Sequence, residues 1–458
     1  MSNKNYTKEE VQAIAKSLIG KTFGELNSFQ LDSDIYTKGS FGHILEEDVF
    51  GYGKNSNSEP DFKDIGIELK VTPYKINQNK TLSAKERLVL NIINYNEEYK
   101  KSFDESQFWN KNKMIQIVWY LYEKDKLRQD FKITNEMLFE FPEDDMPIIL
   151  QDWQLIMDKI KNGKAHEISE SDTMYLGACT KGVNANSMRT QPFSDIPAKQ
   201  RAFSLKQSYM TELVRQVIGG KKRDKFIPIE KIKVKTFEEN IRDTIKPYIG
   251  YSQKQLMNHF KFYSNAKNLN ELLICRIFGV KSDLSKKDEF NKASIIVKTI
   301  RVESSGKIKE SLPFPAFSFE GLVSEEWDDS EIKNYLSESR FLFFIFKEIS
   351  GEYVLSGYRF WNMTSVDIDK YVYPVWEKTK RIVENGDIVK SISNKGKRKT
   401  NFPGMTENLL CHVRPHAVNK KDVYPLPIKD KVSGLTEYMK HSFWINSSYL
   451  SKIVNEPN

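Results

Sequence analysis

Asp64-Ile-Gly-Ile-Glu-Leu-Lys-Val-Thr72 alternates apolar and polar side chains and is followed by Pro73. The period of two predicts a strand, with Glu68 and Lys70 on one face and Leu69 turned into the core. Pro60-Asp61 precedes Glu68 with six residues between, and a turn or hairpin brings Asp61 back toward that face. Two carboxylates on adjacent backbone segments repel unless a cation lies between them, and oxygen-only ligands suit Mg²⁺ or Mn²⁺. A lysine beside them can orient or deprotonate a water, which completes the minimum for metal-assisted phosphodiester hydrolysis. Upstream, Gly42-His-Ile-Leu-Glu46 offers a third acid on a predicted helix. A surface hairpin with an ordinary Glu–Lys pair has the same pattern. The triplets Glu98-Tyr-Lys100 and Glu331-Ile-Lys333 lack an aspartate at the Asp61 spacing.

Working outward, the strand has a partner in the second half, Ile295-Ile-Val-Lys-Thr299. Other segments pair in the same order. Ile115 to Leu121 parallels Phe341 to Lys347, and the helix Trp153 to Asn162-Gly163 parallels Trp376 to Asn385-Gly386. Cys179 to Asn184 parallels Val413 to Asn419, and Phe203 to Tyr209 parallels Phe443 to Tyr449. Five ordered matches separated by about half the chain indicate duplication rather than two unrelated domains. Each copy reads as strands followed by helices, an α/β or mixed α+β class with a central mixed sheet flanked by helices. The expected boundaries are a first domain over 1–220, a solvated linker over 221–235 and a second domain over 236–458.

Composition fits that plan. The chain has 458 residues, 39% hydrophobic and 12% aromatic, enough for two real cores. Its three cysteines have no CxxC spacing, which points to a reducing compartment rather than a disulfide scaffold. The first residues carry no apolar leader, and the apolar run at Phe341–Phe346 fits a buried strand rather than a bilayer span. A cytoplasmic protein without a membrane partner is expected. The net charge of +8 allows a polyanionic partner without requiring one.

The residues resemble the MutH/Sau-type family of GATC-specific endonucleases. Lys38-Gly39-Ser-Phe-Gly-His-Ile-Leu-Glu46 resembles the family's K-G-x-x-G-x-x-x-E helix, and Asp61 with Glu68-Leu-Lys70 resembles its D-(x)6-E-x-K core. Lys85 to Tyr95, Asp152-Trp153, Gly163 to Glu167 and Ala198 to Lys206 resemble the duplicated, restriction-enzyme branch. The resemblance implies two tandem restriction-endonuclease-like domains and a Mg²⁺-dependent type II restriction endonuclease. It would cut double-stranded DNA at 5′-GATC-3′ and leave four-base 5′ overhangs with 5′-phosphates. It implies Glu46, Asp61 and Glu68 as metal ligands and Lys70 as the catalytic lysine. A further lysine precedes the next strand, where Lys111 matches better than Lys113. A GATC methyltransferase is implied as a functional partner. The alternatives are a mismatch-repair-type nicking endonuclease, a branch with a single copy, and a non-catalytic GATC-binding regulator.

The second copy lacks the chemistry. Lys298 falls where Lys70 does, but Ile296 replaces Glu68, and Glu289 falls where Asp61 does. The family's base-reading segments are R-P-K-A-x-N and F-Y-L. Arg414-Pro-His-Ala-Val-Asn419 and Phe443-Trp444-Ile445 resemble them, whereas the first copy has Cys179-Thr-Lys181 and Phe203-Ser204-Leu205. Arginine suits bidentate contact with guanine, and Trp444 suits stacking or wedging at a base step. In the first copy Lys38, Gly39, Lys181 and Arg201 are the candidate DNA contacts. His412 and His416 read as structural or phosphate-facing. One complete active site per chain predicts a free monomer that associates on DNA.

Overall fold

The computed structural model describes residues 5–27, 40–51, 59–77, 80–182, 187–281 and 283–455. It divides into two compact units, Met1–Asn240 with Lys286–Ser294, and Ile241–Ser285 with Ile295–Asn458.

The strands of the first unit are β1 (Ile67–Ile76), β2 (Leu82–Ala84), β3 (Leu88–Ile92), β4 (Met114–Leu121), β5 (Lys132–Glu140), β6 (Leu176–Thr180), β7 (Met188–Gln191), β8 (Ser194–Lys199) and β9 (Arg201–Leu205). The main sheet has the order β2-β1-β4-β5. β1 and β4 run parallel, and the outer pairings are antiparallel. Ile115 to Tyr120 are all buried, as a strand covered on both faces requires. A smaller antiparallel sheet has the order β3-β9-β6, beside the hairpin β7-β8.

The second unit holds β10 (Ile295–Val302), β11 (Leu312–Phe317), β12 (Arg340–Ile349), β13 (Glu352–Trp361), β14 (Val389–Ile392), β15 (Arg398–Thr400), β16 (Cys411–Pro415), β17 (Val423–Pro425), β18 (Glu437–Met439) and β19 (His441–Ile445). It repeats the plan. β10 pairs parallel with β12 and β12 antiparallel with β13, as β1, β4 and β5 do. The small sheet β11-β19-β16 repeats β3-β9-β6. Registers agree as well. Lys70 lies opposite Ile117, and Lys298 opposite Phe343. Glu68 lies opposite Ile115, and Ile296 opposite Phe341. The residue before each first strand is left-handed, Gly66 at φ 68° and Ser294 at φ 55°. The long helices Met146–Lys161 and Tyr373–Glu384 both stop before a left-handed glycine, as the Asn-Gly pairs predict. A Cβ at Gly163 would lie 2.5 Å from the Phe193 carbonyl oxygen, and one at Gly386 2.9 Å from that of Lys429, so neither site has room for a side chain.

The structure differs from the sequence reading between the copies. Residues 221–235, expected as a solvated linker, lie in the first unit and include the helix Ile229–Val234. Lys221 pairs with the buried Glu212, Lys225 with Asp144, and Ile227 is buried. The segment Lys286–Ser294 belongs to the first unit too. Its helix Asp288–Lys292 carries Glu289, whose carboxylate accepts the Phe226 and Ile227 amides at 3.0 and 3.1 Å. Glu289 therefore caps backbone and does not form the hairpin contact that Asp61 forms. The basic run finds acids across the fold, which charge counting along the chain does not show.

In the second unit His441 is 2% exposed and donates from Nδ1 to the Met439 carbonyl at 2.7 Å. Burial pushes its pKa down to about 4. The fold excludes the proton that the unfolded chain takes up near pH 6.5. This stability is full above pH 6.5 and is lost as pH falls from there through about 4, a span worth roughly 3 kcal/mol. Denaturant titrations of wild type and His441→Gln between pH 7 and 4 should show a steeper acid loss in wild type. Parallel curves would refute the assignment.

Candidate active site

Phe62 and Ile67 form a narrow antiparallel bridge, closed by the turn Lys63–Ile65 and Gly66. This hairpin sets Asp61 beside Glu68. The Asp61 amide donates to Glu68 Oε2 at 3.2 Å, and Asp61 Oδ2 accepts the Leu69 amide at 2.9 Å. Lys70, two residues along β1, places Nζ 2.5 Å from Glu68 Oε1. Parallel pairing of β1 with β4 brings up the helix Gln107–Asn112, and Lys111 Nζ stands 3.6 Å from Glu68 Oε1. Asp61, Glu68 and Lys70 thus meet Lys111, about forty residues further along the chain, at one end of the central strand pair. Lys113 instead lies along Gly66, its Cε 3.4 Å from where a Cβ would stand there.

Glu68 is 2% exposed. Desolvation raises its pKa, with Asp61 adding to the rise, while Lys70 and Lys111 oppose it. Glu46 sits on the helical segment Ile44–Val49, with Oε2 3.6 Å from His43 Nδ1. Among the described residues no three His, Cys, Asp or Glu side chains form a metal-binding group, so Glu46 does not converge with Asp61 and Glu68 here. The two convergent carboxylates still suit a hard divalent cation. Asp61 and Glu68 would hold it, and water and phosphate oxygens would complete its shell. Such an ion lowers the pKa of bound water and offsets charge on the phosphate.

Lys38 and Gly39 lie outside the described residues. Lys181 is exposed just past β6, and its amide donates to the Gln200 carbonyl at 2.8 Å. Arg201 is half-buried and donates to the Ala178 carbonyl at 2.6 Å, which ties it into the small sheet. In the second unit Arg414 is exposed, with its guanidinium 4.6 Å from the Trp444 ring centroid. Trp444 is half-buried, with His412 and His416 beside it at 6.4 and 5.5 Å. The half-buried Trp444 ring thus lies under the Arg414 guanidinium, a contact that the expectation of stacking or wedging at a base step did not include. His412 is buried and hydrogen-bonds Asn446 at 2.6 Å, and burial lowers its pKa. The strand registers set Cys179 opposite Ala202 and Arg414 opposite Ser442, so Cys179 is the counterpart of Arg414. Cys179 and Ser204 are buried, so the first copy has no equivalent of the Arg414–Trp444 pair.

Sequence reasoning missed Glu98, set aside as an idle triplet. It is buried, and its carboxylate accepts the Gln107 and Phe108 amides at the start of the Lys111 helix, at 3.3 and 3.1 Å. The nearby serine cap, Ser106 accepting the Trp109 amide, is the only local sign of that helix start.

The family model described as DNA mismatch repair enzyme MutH matches residues 50–152, which contain Asp61, Glu68, Lys70 and Lys111. The MutH proteins of Yersinia enterocolitica and Shewanella woodyi are 28% and 24% identical, covering 43% and 46% of this chain and 86% and 93% of their own. The type II restriction enzyme Sau3AI of Staphylococcus aureus is 39% identical across 98% of this chain and 99% of its own length. No helix among the described residues is long and apolar enough to cross a membrane. With a match running through both units and a MutH-type core in the first, this chain belongs to the MutH/Sau family of type II restriction endonucleases.

Proposed function

We propose that the first unit hydrolyses double-stranded DNA at 5′-GATC-3′ with Mg²⁺, leaving four-base 5′ overhangs with 5′-phosphates. A cognate GATC methyltransferase protects the host's own sites. The observation that carries the reading is the meeting of Asp61, Glu68, Lys70 and Lys111 around one buried carboxylate. The second unit has Ile296 in place of Glu68 at the same register, so it holds DNA without cutting it.

The residues divide the work by charge and position. Asp61 is locked by the Leu69 amide and would be one of the carboxylates that hold the cation. Glu68 would be the second carboxylate to hold the cation, and Lys111 offsets its burial. Lys70 shares the Glu68 face of β1 and holds or deprotonates the attacking water. Bound Mg²⁺ supplies Lewis acidity and a lowered water pKa.

One complete site per chain cannot cut both strands of a palindrome at once, so a double-strand break needs two chains to meet on DNA or one chain to rebind in the opposite orientation, and the reading is that two chains meet. The test is Mg²⁺-dependent cleavage of plasmids carrying no, one or two GATC sites. Cutting only with Mg²⁺, only at GATC and faster on two sites supports the reading. Cutting that ignores GATC overturns the specificity, and rates independent of site number overturn the association.

Arg414 is assigned to guanine recognition in the second unit. Arg414→Ala should weaken GATC duplex binding by about 1–3 kcal/mol and relax the preference for guanine. Fluorescence anisotropy with GATC and base-substituted duplexes measures both. An unchanged preference would refute the contact.

A further inference from the structure

Lys111 stands on a helix of six residues, Gln107–Asn112, too short to hold its own shape. Three contacts fix it. The Glu98 carboxylate accepts the first two amides, and the Ser106 hydroxyl accepts the Trp109 amide at 3.0 Å. At the other end Asn112 Nδ2 donates to Asn91 Oδ1 at 2.9 Å and to the Phe108 carbonyl at 2.8 Å. Asn91 lies on β3, in a different sheet from Glu68, so this bond ties the helix end to the small sheet. Both amides are buried, at 7% and 0% exposure.

The duplicated unit is an internal control. The second unit keeps the first two contacts on its matching helix Glu331–Glu338. The Glu325 carboxylate accepts the Glu331 amide at 2.8 Å, and the Ser330 hydroxyl accepts the Lys333 amide at 3.3 Å. These caps therefore belong to the fold. The third contact is different. Counting back from the paired starts of β4 and β12, Lys111 corresponds to Ser337 and Asn112 to Glu338. Leu88 pairs with Leu205 and Leu312 with Ile445, which makes Pro315 the counterpart of Asn91. The unit without the lysine also lacks the asparagine pair, while both units keep the caps.

A buried amide pair gains little net stability over apolar side chains of like volume, because each amide gives up its water. Its benefit is direction. Asn112 is the residue after Lys111, so the bond to Asn91 fixes the backbone from which the ammonium reaches Glu68. We propose that Asn112, locked by Asn91, is a positioning residue that holds Lys111 beside Glu68. The proposal rests on the reading of Lys111 as part of the hydrolytic site.

The experiment uses the full chain, a GATC duplex and Mg²⁺ under single-turnover conditions, with Asn91→Ala, Lys111→Ala and the double variant. Asn91→Leu, closer in volume, serves if Asn91→Ala does not fold, and thermal melting verifies folding. An ångström of misplacement is worth up to about a hundredfold in rate. The Asn91 variant should cut about tenfold to a hundredfold more slowly, with the duplex concentration at half-maximal rate changed less than about threefold. In the Lys111→Ala background the same change should slow cutting no further. Equal slowing in both backgrounds, or an unchanged rate in a folded Asn91 variant, overturns the lock alone. Lys111→Ala cutting at the wild-type rate overturns the underlying reading of Lys111.

Discussion

Glu68→Gln should give a chain that holds GATC duplexes and cuts them at least about a thousandfold more slowly, a loss of about 4 kcal/mol in transition-state stabilisation. The glutamine matches the buried carboxylate in shape but removes its charge. Lys70 and Lys111 then lose the anion between them, and a divalent ion loses one of two ligands. Asp61→Asn should be as severe and is the cleaner variant, because the asparagine oxygen can still accept the Leu69 amide and keep the hairpin shut. Plasmid cleavage in Mg²⁺ and duplex binding in Ca²⁺ separate chemistry from recognition. Cleavage within tenfold of wild type for either variant would remove that residue from the site. The raised pKa of Glu68 adds a pH signature. Glu68 must be ionised to bind a cation, so at Mg²⁺ well below saturation the acid limb of the cleavage rate should lie above 4.5, the ordinary value for glutamate, and added Mg²⁺ should move it to lower pH.

Lys292→Met should destabilise the first unit by about 3–5 kcal/mol, although position 292 lies well inside the second half of the sequence. Lys292 and Asp145 are 4% and 3% exposed and pair at 2.6 Å. Tyr209 donates to the same Asp145 oxygen at 2.9 Å, and the ammonium lies over the Tyr175 and Tyr209 rings at 5.5 and 5.0 Å. Removing one partner leaves a buried charge without its counterion, whereas Asp145→Leu with Lys292→Met removes both and should be milder. Chemical denaturation of the three variants measures the difference. A loss under 1 kcal/mol for Lys292→Met would show that the segment 286–294 is only loosely seated.

What the sequence disclosed was mostly local in origin. The alternation at Ile67–Val71, the apolar run at Phe341–Phe346 and the Asn-Gly helix stops each carry their cause within a few residues, and each element is present. The meeting of Asp61 with Glu68 was legible because a short hairpin joins them. The place of Lys111 came through family resemblance alone, since only the parallel pairing of β1 and β4 brings it to Glu68. Glu289 was misread because its partners, the Phe226 and Ile227 amides, lie far away in the chain, and Lys292 drew no reading at all because nothing near it in sequence points to Asp145. Trp444 was read from its type, and only the fold shows Arg414 resting on it.

Because the first unit takes in Lys286–Ser294, a ribosome that has just finished residue 240 has not yet made all of it. At about 5–20 residues per second, several seconds separate the two points. During that interval Asp145 has no lysine and the Phe226 amide no glutamate. The first unit of the nascent chain is thus held short of its finished form until the first strand of the second unit is about to be synthesised. A messenger truncated anywhere before that strand yields a first unit that lacks part or all of the segment carrying Glu289 and Lys292.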